Sequence, residues 1–262
     1  MDDNARKLVN FIYFNLSGVY NGKEPVVDLT DIHGTNCYLD DAAGAEIQKR
    51  IDAMPGIPLV RFIDSGNYHY MSLFFMRKIK EPFTLLLLDN HPDTKTPVFG
   101  DITSCGGWVR EACETIPNLN HVIMAGVDRE LIEEEQPLPE KVISLALDEA
   151  ADHISSHDEN YYISLDKDIM NEDYARTDWS QGPYTLDDIL KVISVVKNCC
   201  GFDICGEKKE DPTDEDLLVN EHTNEIIYRK SAIYTEKLMA DAKRREISLL
   251  HVDHDWHITF VN

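Results

Sequence analysis

Short apolar runs alternate with longer amphipathic stretches along most of the chain. In sequence order, the runs are Pro25–Leu29, Pro58–Ile63, Phe83–Leu88, His121–Val127, Val142–Ala146, Tyr161–Leu165 and Gly201–Ile204. Continuous apolar runs of this length are typical of strands covered on both faces, as in a parallel sheet between helices. The pattern therefore predicts a three-layer α/β/α sandwich with a mostly parallel sheet of about eight strands.

The stretches between and after these runs contain the predicted helices. They are Asp41–Met54, Tyr70–Ile79, Leu186–Lys197 and Thr223–Arg245. The third is the clearest, because its apolar residues recur with helical spacing and Thr185 with Asp188 approximates a capping box at its start. The charged stretch Gly206–Asn220 contains Pro212, so its first half is predicted to be a surface loop.

Composition and charge narrow the class of protein. The 262 residues are 43% hydrophobic and 28% charged, which indicates a folded globular chain, predicted as one domain over residues 1–262. A formal charge of −23 disfavours binding to nucleic acid or to anionic lipid, although such charge also serves solubility. The sequence has no apolar stretch of membrane-spanning length, no signal peptide and no Cys-x-x-Cys pair, so a cytoplasmic protein with reduced thiols is expected.

The first candidate site follows the most apolar run, Phe83–Leu88, where the sequence turns to Asp89, His91 and Asp93. In an extended chain, residues two apart point to the same side, so these three side chains would converge beyond the carboxyl end of the sheet. A lone triplet of this kind is also compatible with an ordinary polar loop. The interpretation as a site therefore depends on a second cluster.

That second cluster follows the run Tyr161–Leu165 and consists of Asp166 and Asp168, again two apart. Carboxylates crowded into one cleft repel each other, and hard divalent cations are the natural partners of carboxylate and imidazole ligands. His69 lies between a predicted strand and an apolar helix, where it would reach the same crevice. Alone, His69 would indicate only a core histidine; beside the two acidic clusters it is a predicted metal ligand.

Three motifs carry a resemblance to a known family. Gly-x-x-His at 66–69, Asp-x-His-x-Asp at 89–93 and Ser-x-Asp-x-Asp at 164–168 resemble, in order and spacing, the motifs of the arginase, agmatinase and formiminoglutamase family, the ureohydrolases. The resemblance implies an arginase/deacetylase-like sandwich that holds two divalent metal ions, manganese in that family. The implied ligands are His69, Asp89, Asp93 and Asp166 for one ion, and Asp89, His91, Asp166 and Asp168 for the other.

The sequence departs from the family at the predicted substrate contacts. Glu207 resembles the carboxylate that contacts substrate or metal-bound water, but Gly206 precedes it and the usual Asn-Pro is absent. The loop 100–108 lacks the histidine that arginases carry, so arginine is not indicated as the substrate. Ser104 and Cys105 in this loop, and His33 after the first predicted strand, are predicted substrate contacts. Cys105 as a nucleophile is an alternative, although no histidine lies nearby in sequence to activate it.

The predicted reaction is hydrolysis of a C–N bond in a guanidino or amidino small molecule by a metal-bridging hydroxide that Asp93 orients. One alternative is an amide deacetylase of similar fold. Another is a catalytically silent protein that keeps the acidic cleft to bind a cation or a partner. Assembly into a homo-oligomer is left open, and the stretch His251–His257 is either a second metal site or a final strand or tail.

Overall fold

The computed structural model describes residues 11–97, 100 and 102–230. Within them the strands are β1 (Phe11–Asn15), β2 (Val26–Asp28), β3 (Tyr38–Leu39), β4 (Val60–Phe62), β5 (Phe83–Leu88), β6 (Thr103–Ser104), β7 (Leu119–Ala125), β8 (Val142–Leu145), β9 (Asn160–Asp166) and β10 (Asn198–Cys205). The α-helices are α1 (Asp41–Asp52), α2 (Ser72–Met76), α3 (Trp108–Thr115), α4 (Arg129–Glu134), α5 (Leu147–Ser156), α6 (Leu186–Ser194) and α7 (214–230), and 3₁₀ helices cover Gly66–Met71 and Lys167–Ile169.

Eight strands form one sheet in the order β2-β1-β4-β10-β9-β5-β7-β8, and every neighbouring pair is parallel. The remaining two, β3 and β6, form a small antiparallel ribbon. Helices flank the central sheet, so the predicted three-layer α/β/α fold is confirmed. No helix in the described part of the chain is long and apolar enough to cross a membrane.

The two faces of the sheet each carry an apolar layer, and β5 shows why the sequence reads as an unbroken apolar run. Leu85 and Leu87 pack into one layer, whereas Leu86 and Leu88 pack into the other. All four are fully buried, because side chains alternate between the faces of a strand and helices cover both faces here. A continuous apolar run is thus what a central parallel strand requires.

Several predicted bounds are corrected by the structure. The predicted helix Tyr70–Ile79 is a buried 3₁₀ turn followed by the short helix α2. The last helix begins at residue 214 rather than at Thr223, and its predicted continuation to Arg245 lies outside the described residues, as does His251–His257. The capping box between Thr185 and Asp188 is present at the start of α6.

Candidate metal centre

The predicted ligand residues lie where the strand order reverses. The chain passes from β4 directly to β5, yet β10 and β9 lie between these two strands in the sheet. The loops that leave β4 and β5 therefore diverge around the carboxyl ends of β9 and β10, which opens a crevice at this edge. His69 follows β4, Asp89 to Asp93 follow β5, and Asp166 ends β9.

His69 lies at the centre of one group of ligand atoms. Its Nδ1 atom is 3.2 Å from Asp89 Oδ2, 3.2 Å from Asp93 Oδ2 and 3.7 Å from Asp166 Oδ2. Ligand atoms lie about 2.0–2.3 Å from the ion that they bind. The separations around His69 are those expected between atoms that share one ion. The positive φ of Asp93, 50°, turns its carboxylate back toward the imidazole.

A second group forms around His91. Its Nδ1 atom is 2.9 Å from Asp168 Oδ2 and 3.5 Å from Asp89 Oδ1. Asp89 therefore directs one oxygen to each histidine, which is the arrangement of a carboxylate that bridges two ions. The structure thus brings together all six predicted ligands; their role as ligands stays a prediction.

The donor set fits a metal. Asp89 is 1% exposed, and its Oδ2 atom has no hydrogen-bond partner among the described residues, although a buried oxygen without a partner is costly. Four buried carboxylates face two imidazoles, so without bound protons on the carboxylates the group would be negative even with both rings protonated. Hard divalent cations suit such oxygen and nitrogen ligands.

The pKa values of the group reflect the same crowding. Burial by itself lowers the pKa of both histidines, but the carboxylates outweigh it, raising the pKa of His69 well above its ordinary value and that of His91 to about 11. Burial and the neighbouring charge of Asp89 raise the pKa of Asp166, and the pKa of Asp168 is raised by burial, Asp166 and Asp89. A cation among these groups would replace the protons that they otherwise share.

The outer nitrogens of both histidines are held by serines. Ser164 donates its proton to Asp203 Oδ1 at 2.6 Å, so its oxygen accepts from His69 Nε2 at 2.8 Å. Ser180 Oγ lies 2.9 Å from His91 Nε2, within hydrogen-bond distance of that ring's outer nitrogen. With Nε2 directed at a serine, Nδ1 of each ring faces the carboxylates and is the nitrogen that a cation would bind once it displaces the proton shared there.

Asp203 extends this series of hydrogen bonds into the sheet. Its other oxygen accepts from the Tyr162 hydroxyl, which in turn accepts from Arg61 Nη1 at 3.3 Å. Burial raises the pKa of Asp203, while the hydrogen bonds and the Arg61 charge oppose that rise. Two series of donors thus converge on Asp203, one from the buried Arg61 guanidinium through Tyr162 and the other from the outer nitrogen of His69 through Ser164.

Two tryptophans fix the remaining side chains. Trp108 Nε1 donates to Asp93 Oδ2 at 2.6 Å, and its ring lies 4.7 Å from that of His69. Trp179 packs edge-on against His91 with ring centres 5.7 Å apart and donates to Asn67 Oδ1 at 2.8 Å.

Glu207 does not join either ligand group. Its Oε1 atom is 2.7 Å from Lys167 Nζ and accepts from Asn224 Nδ2 at 2.6 Å and from the Tyr20 hydroxyl at 3.0 Å. The positive φ of Gly206, 91°, lets the backbone pass so close to Asp166 that an added Cβ would lie 2.5 Å from Asp166 Oδ1. The predicted contact of Glu207 with substrate or metal-bound water is not among these contacts and stays a prediction.

The predicted substrate residues separate into two cavities. Ser104 and Cys105 line a cavity of about 550 Å³ with Thr94, the residue after Asp93, and Trp179. This cavity therefore adjoins the ligand groups. His33 lines a different, open cavity of about 360 Å³, so the structure does not bring it together with the loop 102–108.

Cys105 has none of the features of a nucleophile. Burial, together with the charge of Asp93 and the neighbouring Cys37, raises the pKa of its thiol far above the ordinary value. Its backbone N–H donates to Cys37 O at 2.8 Å, so the residue joins the loop before β3 to the loop after β6.

Sequence reasoning missed several residues that shape the site, namely Cys205, Asp203, Asp64, Trp108, Trp179 and Ser180. A charged residue inside an apolar strand is the signal that would have found Asp203. Asp64, at φ 73°, is fully buried and accepts from the backbone of Leu16 and Ser17, which ties the end of β1 to the loop that carries His69. No sequence pattern marks this tie.

Comparison with solved structures places the fold among the ureohydrolases. The agmatine ureohydrolase of Thermoplasma volcanium matches 87% of this chain and 92% of its own, with a TM-score of 0.59 and 15% identity. Proclavaminate amidino hydrolase from Streptomyces clavuligerus matches 74% of this chain and 70% of its own, with a TM-score of 0.57 and 15% identity. Formimidoylglutamase from Bacillus subtilis matches 78% of this chain and 70% of its own, with a TM-score of 0.56 and 13% identity. The protein therefore has an arginase-type fold with an Asp/His site at its switch point, and the resemblance read from the three motifs is confirmed at the level of the fold.

A closer similarity in sequence is found in Thermotoga maritima. A protein described there only as uncharacterized is 30% identical over 184 residues, which cover 68% of this chain and 69% of that protein. The chain belongs to the same family as this Thermotoga protein. A scan against models of protein families finds no match.

Proposed function

We propose that the protein is a metal-dependent hydrolase that cleaves a C–N bond of a guanidino or amidino small molecule at a site for two divalent ions. The observation that carries the proposal is the convergence of six ligand-type side chains at one edge of the sheet, with the Nδ1 atoms of His69 and His91 directed at Asp89 from two sides. The ureohydrolase, amidino hydrolase and formimidoylglutamase neighbours support the class of reaction.

The residues of the site would divide the work as follows. His69 and His91 supply neutral Nδ1 atoms, because serines bind their outer N–H groups. When bound, a pair of divalent ions would supply an activated water at neutral pH and polarise the carbon that it attacks. Asp93 is 8% exposed, more than the other three carboxylates, and Trp108 holds its Oδ2. It would therefore accept the proton of that water and pass it toward the leaving nitrogen.

The cavity beside the site indicates a polar substrate of small size. Its lining includes Glu134, Glu135 and Arg110, with the guanidinium of Arg110 held by Thr94 O at 2.7 Å and Pro137 O at 3.1 Å. The lining balances Glu134 and Glu135 against Lys95 and Arg110, so it is the overall negative charge of the chain that favours a cationic substrate such as an amidino compound.

The test begins with metal content. The full chain is purified without chelator, loaded with Mn²⁺, Co²⁺ or Zn²⁺, and analysed for bound metal. We expect about two ions per chain. Loss of a residue that only supports a metal ligand lowers metal affinity by about 10–100-fold. Asp166→Asn alters a ligand itself and should lower the affinity by at least that much. The matched control is Asp173→Asn, an exposed carboxylate in the loop that follows Lys167–Ile169, which should bind metal as the unmodified chain does.

Activity is then measured as release of urea or ammonia from a panel of guanidino and amidino compounds. Turnover that is present in the loaded protein and in Asp173→Asn, but is lost in Asp166→Asn, supports the proposal. Two bound ions without turnover on any guanidino, amidino or amide compound would favour the catalytically silent alternative. A chain that binds no metal after loading would refute the mechanism.

A further inference from the structure

Cys205 is a buried thiol that neither the resemblance nor the mechanism above uses. It ends β10, and the register of the sheet places it directly beside Asp166 at the end of β9. Cys205 comes two positions after Asp203, and Asp166 comes two positions after Ser164. Asp203 and Ser164 are the two residues whose hydrogen bonds hold His69. Because side chains two apart share one face of a strand, Cys205 faces the same crevice as Asp166.

The contacts of the thiol fit this placement. Cys205 Sγ is 3.1 Å from Asp166 Oδ2 and is fully buried. One ligand atom each of His69, Asp166 and Cys205 lies within 4.8 Å of the other two, a group as tight as that of His69, Asp89 and Asp93. The two groups share His69. The thiol therefore borders the position that the first ion would occupy.

An independent observation indicates a ligand at that position. Asp89 Oδ2, which lies 3.2 Å from His69 Nδ1, is buried and lacks a hydrogen-bond partner among the residues that the structure describes. A cation beside His69 Nδ1 would give this oxygen a partner, and Cys205 Sγ lies within 4.8 Å of a ligand atom of the same histidine and of Asp166.

We propose that Cys205 ligates, as a thiolate, the ion bound by His69 and Asp166, the two ligands with which its sulfur forms one group. On binding, the S–H bond breaks, the proton leaves to solvent, and a sulfur lone pair forms the bond to the ion. This inference rests on the proposed metal-dependent function and deepens it. Thiolate ligands select zinc, iron or cobalt over manganese, so the ion beside Cys205 should be one of these softer metals, whereas the His91 group keeps only oxygen and nitrogen ligands.

The test uses the full chain, freed of metal and titrated with Co²⁺, with bound cobalt measured by elemental analysis. A thiolate bound to Co²⁺ gives a strong charge-transfer band in the near ultraviolet. We expect this band in the unmodified chain and its loss in Cys205→Ser, with at least one cobalt still bound to the variant. The matched control is Cys199→Ser at the opposite end of β10, where the thiol donates to Gly201 O, and it should keep the band.

X-ray absorption of the unmodified protein loaded with zinc gives a second readout that needs no variant. It should detect one sulfur at about 2.3 Å from zinc. Bound cobalt without the band, a band that persists in Cys205→Ser, or zinc without a sulfur neighbour would each overturn the role of Cys205 and leave the metal-dependent function standing. A chain that binds neither metal would overturn both proposals.

Discussion

The buried pair of Lys167 and Glu207 offers the sharpest test of the energetics around the site. Lys167 is fully buried between two predicted metal ligands, and its Nζ lies 2.7 Å from Glu207 Oε1 and 3.2 Å from Asn224 Oδ1. Replacing Lys167 by Met keeps an unbranched side chain that is one atom shorter and removes its charge. Glu207 then remains buried with only the neutral donors Asn224 and Tyr20.

The expected loss in the free energy of unfolding is about 3–5 kcal/mol, since removing one partner leaves a buried charge uncompensated. For a chain of this size that corresponds to a fall in Tm of roughly 6 to 20 °C. The double variant Lys167→Met/Glu207→Gln should recover most of the loss, because Tyr20 and Asn224 can still donate to the amide oxygen that the second substitution introduces, while no charge is buried.

The pH dependence has a definite sign. Burial raises the pKa of Glu207, but the charge of Lys167 outweighs it and holds the pKa below its ordinary value. In the unmodified chain, Glu207 therefore contributes stability above its unfolded pKa of about 4.3, and this contribution is lost as the pH falls through its folded-state pKa. In Lys167→Met, burial raises the pKa instead, so the variant's deficit should be larger at pH 7 than at pH 5.

Urea unfolding of both variants and the unmodified chain at pH 5 and pH 7, with chelator present so that metal does not contribute, measures these differences. A double variant as unstable as the single one would refute the reasoning, because the loss would then come from packing. A deficit independent of pH would refute the assignment of the charge to Glu207.

Two further predictions concern the support of the ligands. Asp203→Asn should weaken the binding of metal by about 10–100-fold, because it removes the carboxylate that supports the outer nitrogen of His69 through Ser164. Competition with a chromophoric chelator measures the affinity, and an unchanged affinity would contradict this role. Gly206→Ala should lower the free energy of unfolding by about 1–3 kcal/mol, because alanine at a φ of 91° strains the backbone. It should also lower the metal content, because the added Cβ would lie 2.5 Å from Asp166 Oδ1. Gly56→Ala, where nothing lies within 4 Å, is the control, and equal effects in the two variants would exclude a clash at the site.

Local pattern was enough for the central strands and for the first residues of the site. Leu85 to Leu88 are apolar without interruption because both faces of β5 are covered, and this run is visible in the sequence. The turn to Asp89 marks where the strand leaves the sheet. Polar residues directly after a buried strand reach the sheet edge whatever the rest of the chain does, so the spacing of Asp89, His91 and Asp93 was informative.

Residues that matter through distant partners were not predictable in this way. The family resemblance places Glu207 at the substrate, which stays a prediction, and only the structure shows that Glu207 follows a left-handed turn at Gly206 and pairs with the buried Lys167. His33 was grouped with Ser104 and Cys105, yet the structure places it on another cavity. The single-domain organisation, a small-molecule partner and a cytoplasmic location remain predictions from the sequence.

The sequence by itself determined seven of the eight strands of the central sheet, all but β1, and the residues at the ends of β5 and β9, because alternation and burial act over a few neighbouring positions. Only the tertiary structure decided that Cys205 lies beside Asp166 and that Asp203 supports His69, since these contacts depend on β10 inserting between β4 and β9. That insertion joins segments that are far apart along the chain, and short-range periodicity carries no information about which strands become neighbours.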